Sequence, residues 1–331
     1  MLSEFLNNNI NLKKNTFYTL IIGSSPSKGA RSPKLWNKAY KTFKQKTKMY
    51  PADLSKKNLG KLCKFLKSDK FFLGSSVTVP FKEEIMKYLD RIDESAKYIG
   101  SVNTLKKIKG KLVGFNTDFS GSIHTLNYIN LTKNKKNILI FGCGGAGKAC
   151  IVSALKYFNN SNLFLVNRNL KKVKKFLKRL DKINNNKLIN INNLKKIKNY
   201  QNIDLIINTT SIGFDNWFEN RGYYNLRNYS PISKVIVKKT KKKQTLQFNR
   251  LNKKFLKKNN QLSKDFLKTK NKFSIFDIIY KPKQSVLLKH GKLNRHRTFN
   301  GLRMNLMQAV EAFKIVNNEK NEYKIIKGMK K

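Results

Sequence analysis

The first part of the chain alternates short apolar runs with segments whose apolar positions recur at helical spacing. The runs predict strands at 16–23, 49–53 and 74–80, and the segments between them predict helices at 33–45 and 56–66. Strands that alternate with helices usually form parallel sheets covered by those helices. We therefore predict an α/β domain with a largely parallel sheet.

Shorter elements complete this first domain. The pattern predicts helices at 81–89 and 93–99, followed by a hairpin whose strands, 102–107 and 112–115, flank Gly110. Glycine suits a hairpin turn because it adopts positive φ angles without strain. The domain is expected to end shortly after this hairpin.

The same alternation resumes in the second half of the chain. Buried strands are predicted at 138–141, 163–166 and 204–208, and helices at 149–157 and 171–181. These elements indicate a second α/β domain of the doubly wound type.

One long segment interrupts this second domain. Residues 220–272 are dense in Lys, Asn and Gln, most of all in the lysine run at 238–243, and predict a solvated insertion or partly ordered helices without a functional role. Apolar order returns at 273–280, and residues 302–316 have the spacing of an amphipathic helix.

A glycine-rich loop joins the predicted strand at 138–141 to the helix that follows. Gly142, Gly144 and Gly147 have G-x-G-x-x-G spacing, which exposes backbone N–H groups at a helix N-terminus for a pyrophosphate. The loop also nearly matches a P-loop, but Ala149 stands where that motif needs a hydroxyl for Mg²⁺. A dinucleotide-binding Rossmann unit is favoured over a plain glycine-rich turn and over an NTPase.

The residues after the next predicted strand bear on which dinucleotide would bind. Asn167 and Arg168 follow the strand at 163–166, where NAD-binding units usually place an acid for the ribose 2′-hydroxyl. An arginine at that point suits a 2′-phosphate instead. The sequence therefore favours NADP.

The charge of the chain admits a different interpretation. The 331 residues carry a formal net charge of +53, which is typical of a nucleic-acid-binding protein. The lysines, however, are scattered along the whole chain together with abundant Asn, Ile and Phe, all of which have A/T-rich codons. Codon bias is the favoured explanation, and we expect no specific nucleic-acid partner.

Cysteine and histidine usage bears on compartment and metal binding. Cys63, Cys143 and Cys150 form no C-x-x-C pair, which fits a reducing compartment. No apolar run approaches the length of a membrane span, and no signal-peptide pattern begins the chain. The histidines are too widely spaced to predict a metal site. We expect a cytoplasmic protein with no membrane association.

Lys82 and Asp118 are the candidate catalytic groups in the first domain. Lys82 follows a strand end and a turn at Pro80, where parallel-sheet domains place active groups. In so basic a chain, however, any one lysine is by default a solvent-exposed surface residue. Asp118 follows the hairpin and could instead be an ordinary helix cap. Together the two side chains could donate and accept a proton at a carbonyl.

Several motifs follow one another along the chain. Their sequences are VTVPFK at 77–82, SVNTL at 101–105, GFNTD at 114–118, GCGGAG at 142–147, NR at 167–168 and NTTSIG at 208–213, followed by 277–280 and 301–308. In this order they resemble the shikimate dehydrogenase family, and the resemblance covers about residues 16–215 and 273–316. Such a series of independent motifs is far more specific than any one of them.

The resemblance implies an NADP-dependent oxidoreductase that reduces 3-dehydroshikimate to shikimate in the aromatic amino-acid pathway. A quinate/shikimate dehydrogenase of broader specificity is the alternative within this class. By the matching motifs, Lys82 would give a proton to the C3 oxygen, and Asp118 would orient Lys82 and hold a substrate hydroxyl.

The resemblance also implies the binding residues. Substrate-binding positions are Ser32, Thr78, Asn103, Asp118, Tyr280 and Gln308. Pyrophosphate-binding positions are Gly142, Gly144, Gly145, Ala146 and Gly147, and those at the adenosine ribose phosphate are Asn167, Arg168 and Lys172. Positions expected near the nicotinamide are Thr209, Gly213, Ile278, Gly301 and Met304.

The chain departs from the family pattern at three places. Ala30 replaces the first serine of the usual Ser-x-Ser-Pro, and Arg31 beside it is a candidate cation for the substrate carboxylate. Arg303 occupies a position that is commonly small. The segment 220–272 is longer than the family usually has.

The family's organisation implies three parts. Residues 1–120 are the expected substrate-binding domain, and residues 121–300 are the expected Rossmann-like NADP-binding domain with the insertion at about 220–272. Residues 301–331 are expected to form a C-terminal helix that returns to the substrate domain. The assembly that we consider for such a protein is a homodimer.

Overall fold

The chain forms two compact units. The computed structural model describes residues 2–180, 187–191, 202–214, 217–218, 223–224, 229–233 and 245–330. The first unit contains residues 1–125, 148–153 and 303–331, and the second contains residues 126–147 and 154–302. The lysine run at 238–243 lies outside the described residues.

The first unit is built on a six-stranded sheet with the order β2-β1-β3-β5-β6-β4. Its strands are β1 (Tyr18–Gly23), β2 (Lys48–Asp53), β3 (Phe72–Val77), β4 (Arg91–Ile92), β5 (Thr104–Ile108) and β6 (Lys111–Phe115). The strand β1 pairs in parallel with β2 and β3, whereas β5 pairs antiparallel with both β3 and β6. Because β4 and β6 also pair in parallel, β5 is the one strand of this sheet that runs against the other five, and it does so through the predicted hairpin at Gly110. The prediction of a largely parallel sheet is confirmed.

Helices cover this sheet and match the predicted ones in most places. They are α1 (Ser32–Thr42), α2 (Leu59–Ser68), α3 (Glu94–Ile99) and α4 (Asp118–Ile129), the last of which begins in this unit. The helix predicted at 81–89 is only a 3₁₀ turn, Glu84–Tyr88. The helix α4 was not predicted, and it begins at Asp118 itself.

The C-terminal residues complete the first unit. The predicted helix at 302–316 is confirmed as α9 (Leu302–Asn317), and α10 (Glu322–Lys330) follows it. Phe313 of α9 packs edge-on against the fully buried Trp36 of α1, with 5.2 Å between ring centroids. This apolar cluster fixes the position of α9 on α1, so the polar residues near the start of both helices belong to one packed layer.

The second unit has the predicted Rossmann-like topology. Its parallel sheet has the order β14-β13-β10-β7-β8-β9, formed by β7 (Asn137–Phe141), β8 (Asn162–Val166), β9 (Lys187–Ile191), β10 (Leu205–Asn208), β13 (Ser274–Asp277) and β14 (Arg297–Phe299). The helices α5 (Gly145–Tyr157), α6 (Leu170–Leu180) and α8 (Val286–Leu293) lie between these strands in sequence. The strands of the sheet are mostly apolar and buried because helices cover both faces of such sheets.

Part of the predicted insertion is helical, which is one of the two alternatives predicted for it. The insertion contains the helix α7 (Thr245–Leu267) and the strand β12 (Tyr223–Tyr224), which pairs antiparallel with β11 (Trp217–Phe218) just before it. In α7, the buried Ser263 hydroxyl lies 2.7 Å from His290 Nδ1, and the Leu267 carbonyl lies 2.8 Å from His296 Nε2. Burial lowers the pKa of both histidines. The end of α7 is therefore anchored to this unit by its contacts with the two imidazole rings.

The cysteines are reduced, and the helices were compared with the requirements of a membrane span. Cys63, Cys143 and Cys150 are all buried free thiols, and burial raises the pKa of Cys63 and Cys150 to about 12. None of the helices in the described part of the chain has the length and apolar character of a transmembrane segment.

Candidate active site

The turn after β3 carries Lys82 in the first unit. Thr78 N donates to the Ile22 carbonyl at 2.8 Å, and the Val79–Pro80 peptide bond is cis. Phe81 is 2% exposed and packs into the core of the unit. The Lys82 carbonyl accepts from Val102 N at 2.7 Å. The backbone on either side of the Lys82 side chain is therefore held by the core and by the SVNTL segment.

The Lys82 ammonium forms an ion pair with Asp118. Lys82 Nζ lies 2.5 Å from Asp118 Oδ2, and the side chains of the two residues are 17% and 7% exposed. Asp118 is the first residue of α4, where the positive end of the helix dipole favours a carboxylate. Asp118 therefore begins a helix and also pairs with the lysine. The pair remains accessible to a small molecule through the exposed part of Lys82.

A hydrogen-bonded amide group lies next to this ion pair. Asn103 Oδ1 accepts from Thr117 N at 2.7 Å, and Asn103 Nδ2 donates to Thr117 Oγ1 at 3.0 Å. Asn103 Nδ2 also donates to Gln308 Oε1 at 3.3 Å. These bonds tie the Asn103 amide, and through it the Gln308 amide, to Thr117, the residue that directly precedes Asp118.

The packing of α4 against α9 explains why Gln308 is present in this group. A Cβ on Gly121 would lie 2.6 Å from the Met304 carbonyl oxygen and 3.1 Å from Gln308 N. Only glycine lets the two helices approach this closely. The first turn of α4 and the first turns of α9 are consequently in backbone contact.

An arginine lies at the start of α1 in the same unit. Arg31 Nη1 donates to Asn305 Oδ1 of α9 at 2.8 Å. The next residue, Ser32, opens α1 and is 6% exposed. The start of α1 is therefore joined to the part of α9 that also carries Gln308.

A second, partly buried ion pair involves Glu83, the residue that follows Lys82. Lys148 Nζ lies 3.1 Å from Glu83 Oε2, and the Lys148 side chain is 8% exposed. Lys148 is the residue that gave the glycine loop its likeness to a P-loop. In this chain its ammonium is paired with the carboxylate that follows Lys82.

The glycine loop of the second unit is shaped by backbone contacts. Gly142 has a φ of +98°, and its N–H donates to the Val166 carbonyl at 2.8 Å. A Cβ on Gly147 would lie 2.7 Å from Thr209 Oγ1 and 2.8 Å from the Gly142 carbonyl oxygen. Larger residues would thus disturb the loop at both glycines.

The same loop fits the pyrophosphate of a dinucleotide. Gly144 is the N-cap of α5 without a side-chain cap, and a Cβ built on Gly144 meets nothing within 4 Å. The first N–H groups of a helix lack intrahelical partners and attract anions. Gly144, Gly145, Ala146 and Gly147 therefore form a backbone cradle with room for a phosphate group.

Polar residues after β8 form the next part of the second unit. Asn167 Nδ2 donates to the Asn169 carbonyl at 3.0 Å, and Asn169 Oδ1 accepts from Lys172 N at 2.9 Å. The Arg168 side chain is exposed and Lys172 is half-buried. These local hydrogen bonds fix the start of α6. The two cationic residues, Arg168 and Lys172, therefore both follow the C-terminal end of β8.

A buried carboxylate organises the remaining predicted cofactor residues. Asp277 Oδ1 accepts from Asn208 Nδ2 at 3.0 Å and from Ile279 N at 3.1 Å, and Asp277 Oδ2 accepts from Ser285 Oγ at 2.6 Å. Burial raises the pKa of Asp277 to about 7, and these hydrogen bonds oppose that rise. Asp277 therefore holds the strand ends of β10 and β13 together.

The loop positions predicted for the nicotinamide lie around this carboxylate. Ile278 N donates to the Asn208 carbonyl at 3.0 Å, and a Cβ on Gly301 would overlap the Ile278 backbone. Gly213 has a φ of +105°, which favours glycine. Thr209 Oγ1 donates to the Phe141 carbonyl at 2.7 Å, which ties this loop to the glycine loop.

Comparison with known proteins identifies the family. A sequence model described as the shikimate dehydrogenase substrate binding domain matches residues 21–105. The shikimate dehydrogenase (NADP(+)) of Methanococcus aeolicus is 33% identical over 256 residues, which are 77% of this chain and 76% of that protein. The chain belongs to the shikimate dehydrogenase family.

Other relatives agree with this assignment over a longer span. The shikimate dehydrogenase (NADP(+)) of Methanosphaera stadtmanae is 31% identical over 309 residues, covering 93% of this chain and 94% of that protein. The crystal structure of the Aquifex aeolicus shikimate dehydrogenase matches with a TM-score of 0.70 at 28% identity, covering 97% and 100% of the two chains. A shikimate dehydrogenase solved in complex with NADP+ matches with a TM-score of 0.69 at 28% identity, covering 96% of each chain.

The predicted substrate residues of this shikimate dehydrogenase family member are only partly joined by contacts. Direct hydrogen bonds link Lys82 to Asp118 and Asn103 to Gln308. Ser32 and Thr78 belong to the same unit, at the start of α1 and after β3. Tyr280 belongs to the second unit, where its ring packs edge-on against Phe214 at 6.3 Å.

Several supporting residues were not singled out from the sequence. Thr117 and Asn305 act through bonds to Asn103 and Arg31, and Asp277 was noted only as part of a motif. Thr117 lies within GFNTD, so its presence beside Asp118 was an available signal. Asn305 gave no signal, since its partner Arg31 is 274 positions away in sequence.

No metal centre emerges from the described residues. That part of the chain contains no group of three or more His, Cys, Asp or Glu side chains that could hold a metal ion.

Proposed function

We propose that this protein catalyses the NADPH-dependent reduction of 3-dehydroshikimate to shikimate. The observation that carries the proposal is the buried Lys82–Asp118 ion pair, with 2.5 Å between Nζ and Oδ2, in a family whose relatives are named shikimate dehydrogenase (NADP(+)). Family membership favours this activity over the nucleic-acid-binding alternative that the net charge raised.

In this proposal Lys82 is the proton donor. NADPH, when bound, supplies the hydride that reduces the C3 carbonyl carbon. The Lys82 ammonium gives its proton to the C3 oxygen as negative charge develops there, and a positioned donor of this kind accelerates such steps by about 10²- to 10⁴-fold. The amine that remains regains a proton from solvent, which reaches the 17% exposed side chain.

Asp118 orients the donor and the substrate. Its carboxylate accepts a hydrogen bond from the Lys82 ammonium and, through its second oxygen, can accept one from a substrate hydroxyl. The side chains of Ser32, Thr78, Asn103, Tyr280 and Gln308 are proposed to bind the other polar groups of the substrate. Neutral hydroxyls and amides suit a small polyhydroxylated acid because they can both donate and accept.

The second unit is proposed to hold the cofactor. The backbone of Gly142, Gly144, Gly145, Ala146 and Gly147 would bind the pyrophosphate, and Asn167, Arg168 and Lys172 would bind the 2′-phosphate. Thr209, Gly213, Ile278 and Gly301 of this unit would surround the nicotinamide end, as would Met304, which belongs to the first unit. The corresponding division of labour is substrate binding by residues 1–120, cofactor binding by residues 121–300 and a return to the substrate domain by residues 301–331.

The remaining parts of the proposal concern location and assembly. The buried free thiols of Cys63, Cys143 and Cys150 are consistent with a reducing compartment, so we place the enzyme in the cytoplasm. We propose no specific nucleic-acid partner. The homodimer is a hypothesis that light scattering of the purified protein would test.

The deciding experiment is a dehydrogenase assay. Purified protein with shikimate and NADP⁺ is expected to produce the near-ultraviolet absorbance of NADPH. Absence of that signal with the folded wild-type protein would contradict the proposed function. Replacing shikimate by quinate and NADP⁺ by NAD⁺ measures the strictness of both preferences, and we expect shikimate with NADP⁺ to be the best pair.

A further inference from the structure

Lys148 is a buried cation whose role the proposed reaction leaves open. Among the residues that the structure describes, no other lysine or arginine is buried to the same degree. A buried ammonium is costly unless an opposite charge meets it, and Glu83 Oε2 lies 3.1 Å from Lys148 Nζ. Such a pair is a poor source of stability, because the lost solvation offsets the attraction. Its presence is better explained by what it holds in place.

The segment of α5 that carries Lys148 fastens the chain just beyond both members of the proposed catalytic pair. Residues 148–153 belong to the first unit. Lys148 holds Glu83, the residue after the proposed proton donor. Ser153 Oγ lies 3.2 Å from the carbonyl oxygen of Phe119, the residue after the carboxylate of the pair.

The backbone at Lys82 is anchored on both sides. Phe81, before it, is 2% exposed in the core, and the Lys82 carbonyl accepts from Val102 N at 2.7 Å. After it, the Glu83 side chain is held by Lys148. A proton donor depends on this kind of support, since a displacement of about 1 Å at the reacting groups can lower a rate by about 100-fold.

The sequence position of Lys148 also suggests a phosphate ligand. It directly follows Gly147, where the lysine of a P-loop would reach the phosphates of a nucleotide. In this chain the Lys148 ammonium is instead paired with a carboxylate of the first unit. The two roles predict different kinetic effects, so experiment can separate them.

We propose that Lys148 is a positioning residue for the proton donor. By pairing with Glu83, it holds the backbone that carries Lys82 and so keeps the Lys82 ammonium in place to protonate the substrate oxygen. The proposal rests on the proposed function, because it requires a reduction in which Lys82 gives the proton.

The test begins with Lys148→Met, which keeps the length of the side chain and removes the charge. The Glu83 side chain is 34% exposed, so its carboxylate stays hydrated when the ammonium is lost. We expect kcat to fall by about tenfold because Lys82 is less well placed, while the KM for shikimate and the Kd for NADP⁺ stay within about threefold of wild type. Lys148→Arg should recover most of the lost kcat, because it keeps a cation for Glu83.

A matched control removes a lysine from an exposed pair of the same unit. Lys97 Nζ lies 3.3 Å from Glu94 Oε1, and the two side chains are 69% and 71% exposed. Exposed pairs contribute little, so Lys97→Met should leave kcat within about twofold of wild type.

Double variants test whether Lys148 acts through Lys82. In a Lys82→Met background, adding Lys148→Met should lower the residual kcat by less than about twofold, because the group that it positions is already absent. Lys148→Met combined with Glu83→Gln should lose about as much kcat as Lys148→Met alone, since both changes break one pair. This second double variant removes both charges of the pair, and it gives the same comparison with wild type if Lys148→Met alone does not fold.

Distinct outcomes overturn the two proposals. Activity of the wild type together with an unchanged kcat in Lys148→Met would contradict the role of Lys148 alone. A full additional loss in the Lys82→Met background would also contradict it, since that result indicates a general structural defect. A weaker Kd for NADP⁺ with unchanged kcat would make Lys148 a phosphate ligand instead. Inactivity of the wild type with shikimate would contradict the proposed function.

Discussion

The Lys82 region of the first unit and the glycine loop of the second unit use different parts of the chain to build a site. In the Lys82 region the contacts are between side chains: Lys82 pairs with Asp118, and Asn103 donates a hydrogen bond to Gln308. In the glycine loop, the decisive contacts are between backbone atoms, and a Cβ would obstruct them at Gly147.

The two sites should therefore respond differently to substitution. A side-chain network loses chemistry when one functional group is removed, because each group has a specific partner. A backbone cradle instead loses shape when a group is added. We expect deletions to be most damaging in the first unit and additions to be most damaging in the second.

The largest effect is expected for Lys82→Met, which keeps the length of the side chain and removes the ammonium. We expect kcat to fall by about a thousandfold because the proton donor is lost, while the KM for shikimate changes little. Steady-state kinetics with shikimate and NADP⁺ measures both values.

The control for Lys82→Met addresses folding. The single variant leaves the Asp118 carboxylate 7% exposed without its cation, which costs about 3 kcal/mol in the free energy of unfolding. Adding Asp118→Asn should restore much of that stability, as measured by urea unfolding, without restoring activity. Activity of Lys82→Met within tenfold of wild type would contradict the catalytic role of Lys82.

A smaller effect is expected for an added methyl group in the glycine loop. Gly147→Ala would bring a Cβ to 2.7 Å from Thr209 Oγ1, so we expect a loss of about 2 kcal/mol in unfolding free energy and about a 30-fold weaker Kd for NADP⁺. Fluorescence titration and urea unfolding measure the two quantities.

Gly144→Ala is the matched control for Gly147→Ala. A Cβ on Gly144 meets nothing within 4 Å, and the backbone there has a φ of −83°, which alanine adopts without strain. Stability should therefore stay at the wild-type level while NADP⁺ affinity falls, because the methyl group enters the space proposed for the pyrophosphate. Unchanged affinity in both variants would place the cofactor elsewhere.

The next effect in order of size is expected at the adenosine end of the proposed cofactor site. Arg168→Ala should lower the preference for NADP⁺ over NAD⁺ by about tenfold, because a charge-assisted hydrogen bond to the 2′-phosphate is lost. The ratio of kcat/KM for the two cofactors measures this preference. Lys171→Ala, an exposed charge on the adjoining helix α6, should leave the ratio within about twofold. Equal ratios in wild type and Arg168→Ala would contradict the assignment of Arg168.

Local sequence signals predicted some of these features and not others. The spacing of Gly142, Gly144 and Gly147 is a local pattern, so the Rossmann loop could be predicted from it. The hairpin of β5 and β6 could likewise be predicted from Gly110 and its flanking strands. The pairing of β5 with β3 could not, because strand order depends on long-range pairing rather than on the pattern within one strand.

Long-range partners account for the rest of what the sequence did not predict. Asn305 matters through Arg31, and the packing of α7 depends on the contact between Ser263 and His290, 27 positions apart. Such contacts exist only after the chain has folded. Motif resemblance could supply Lys82 and Asp118 because the family preserves their local surroundings, whereas it supplies nothing at positions where this chain differs from the family.

The smallest effect on activity is expected at Asp277. A substitution there should change the stability of the second unit without changing its chemistry. Burial raises the pKa of this carboxyl from 3.8 to about 7, so between these values the folded state holds a proton that the unfolded state has released. Asp277 therefore stabilises the fold least at the upper end of this range, and its contribution to the free energy of unfolding falls as pH rises from about 4 to about 7.

Asp277→Asn keeps acceptors for Asn208 and Ile279 and can donate to Ser285, so it should remove that contribution. Urea unfolding at several pH values should then show a wild-type curve that loses stability relative to the variant with rising pH, while kcat at neutral pH changes less than about threefold. A constant difference between the two curves would mean that Asp277 titrates alike in the folded and unfolded chains, and the β10–β13 junction would then depend on hydrogen bonding alone.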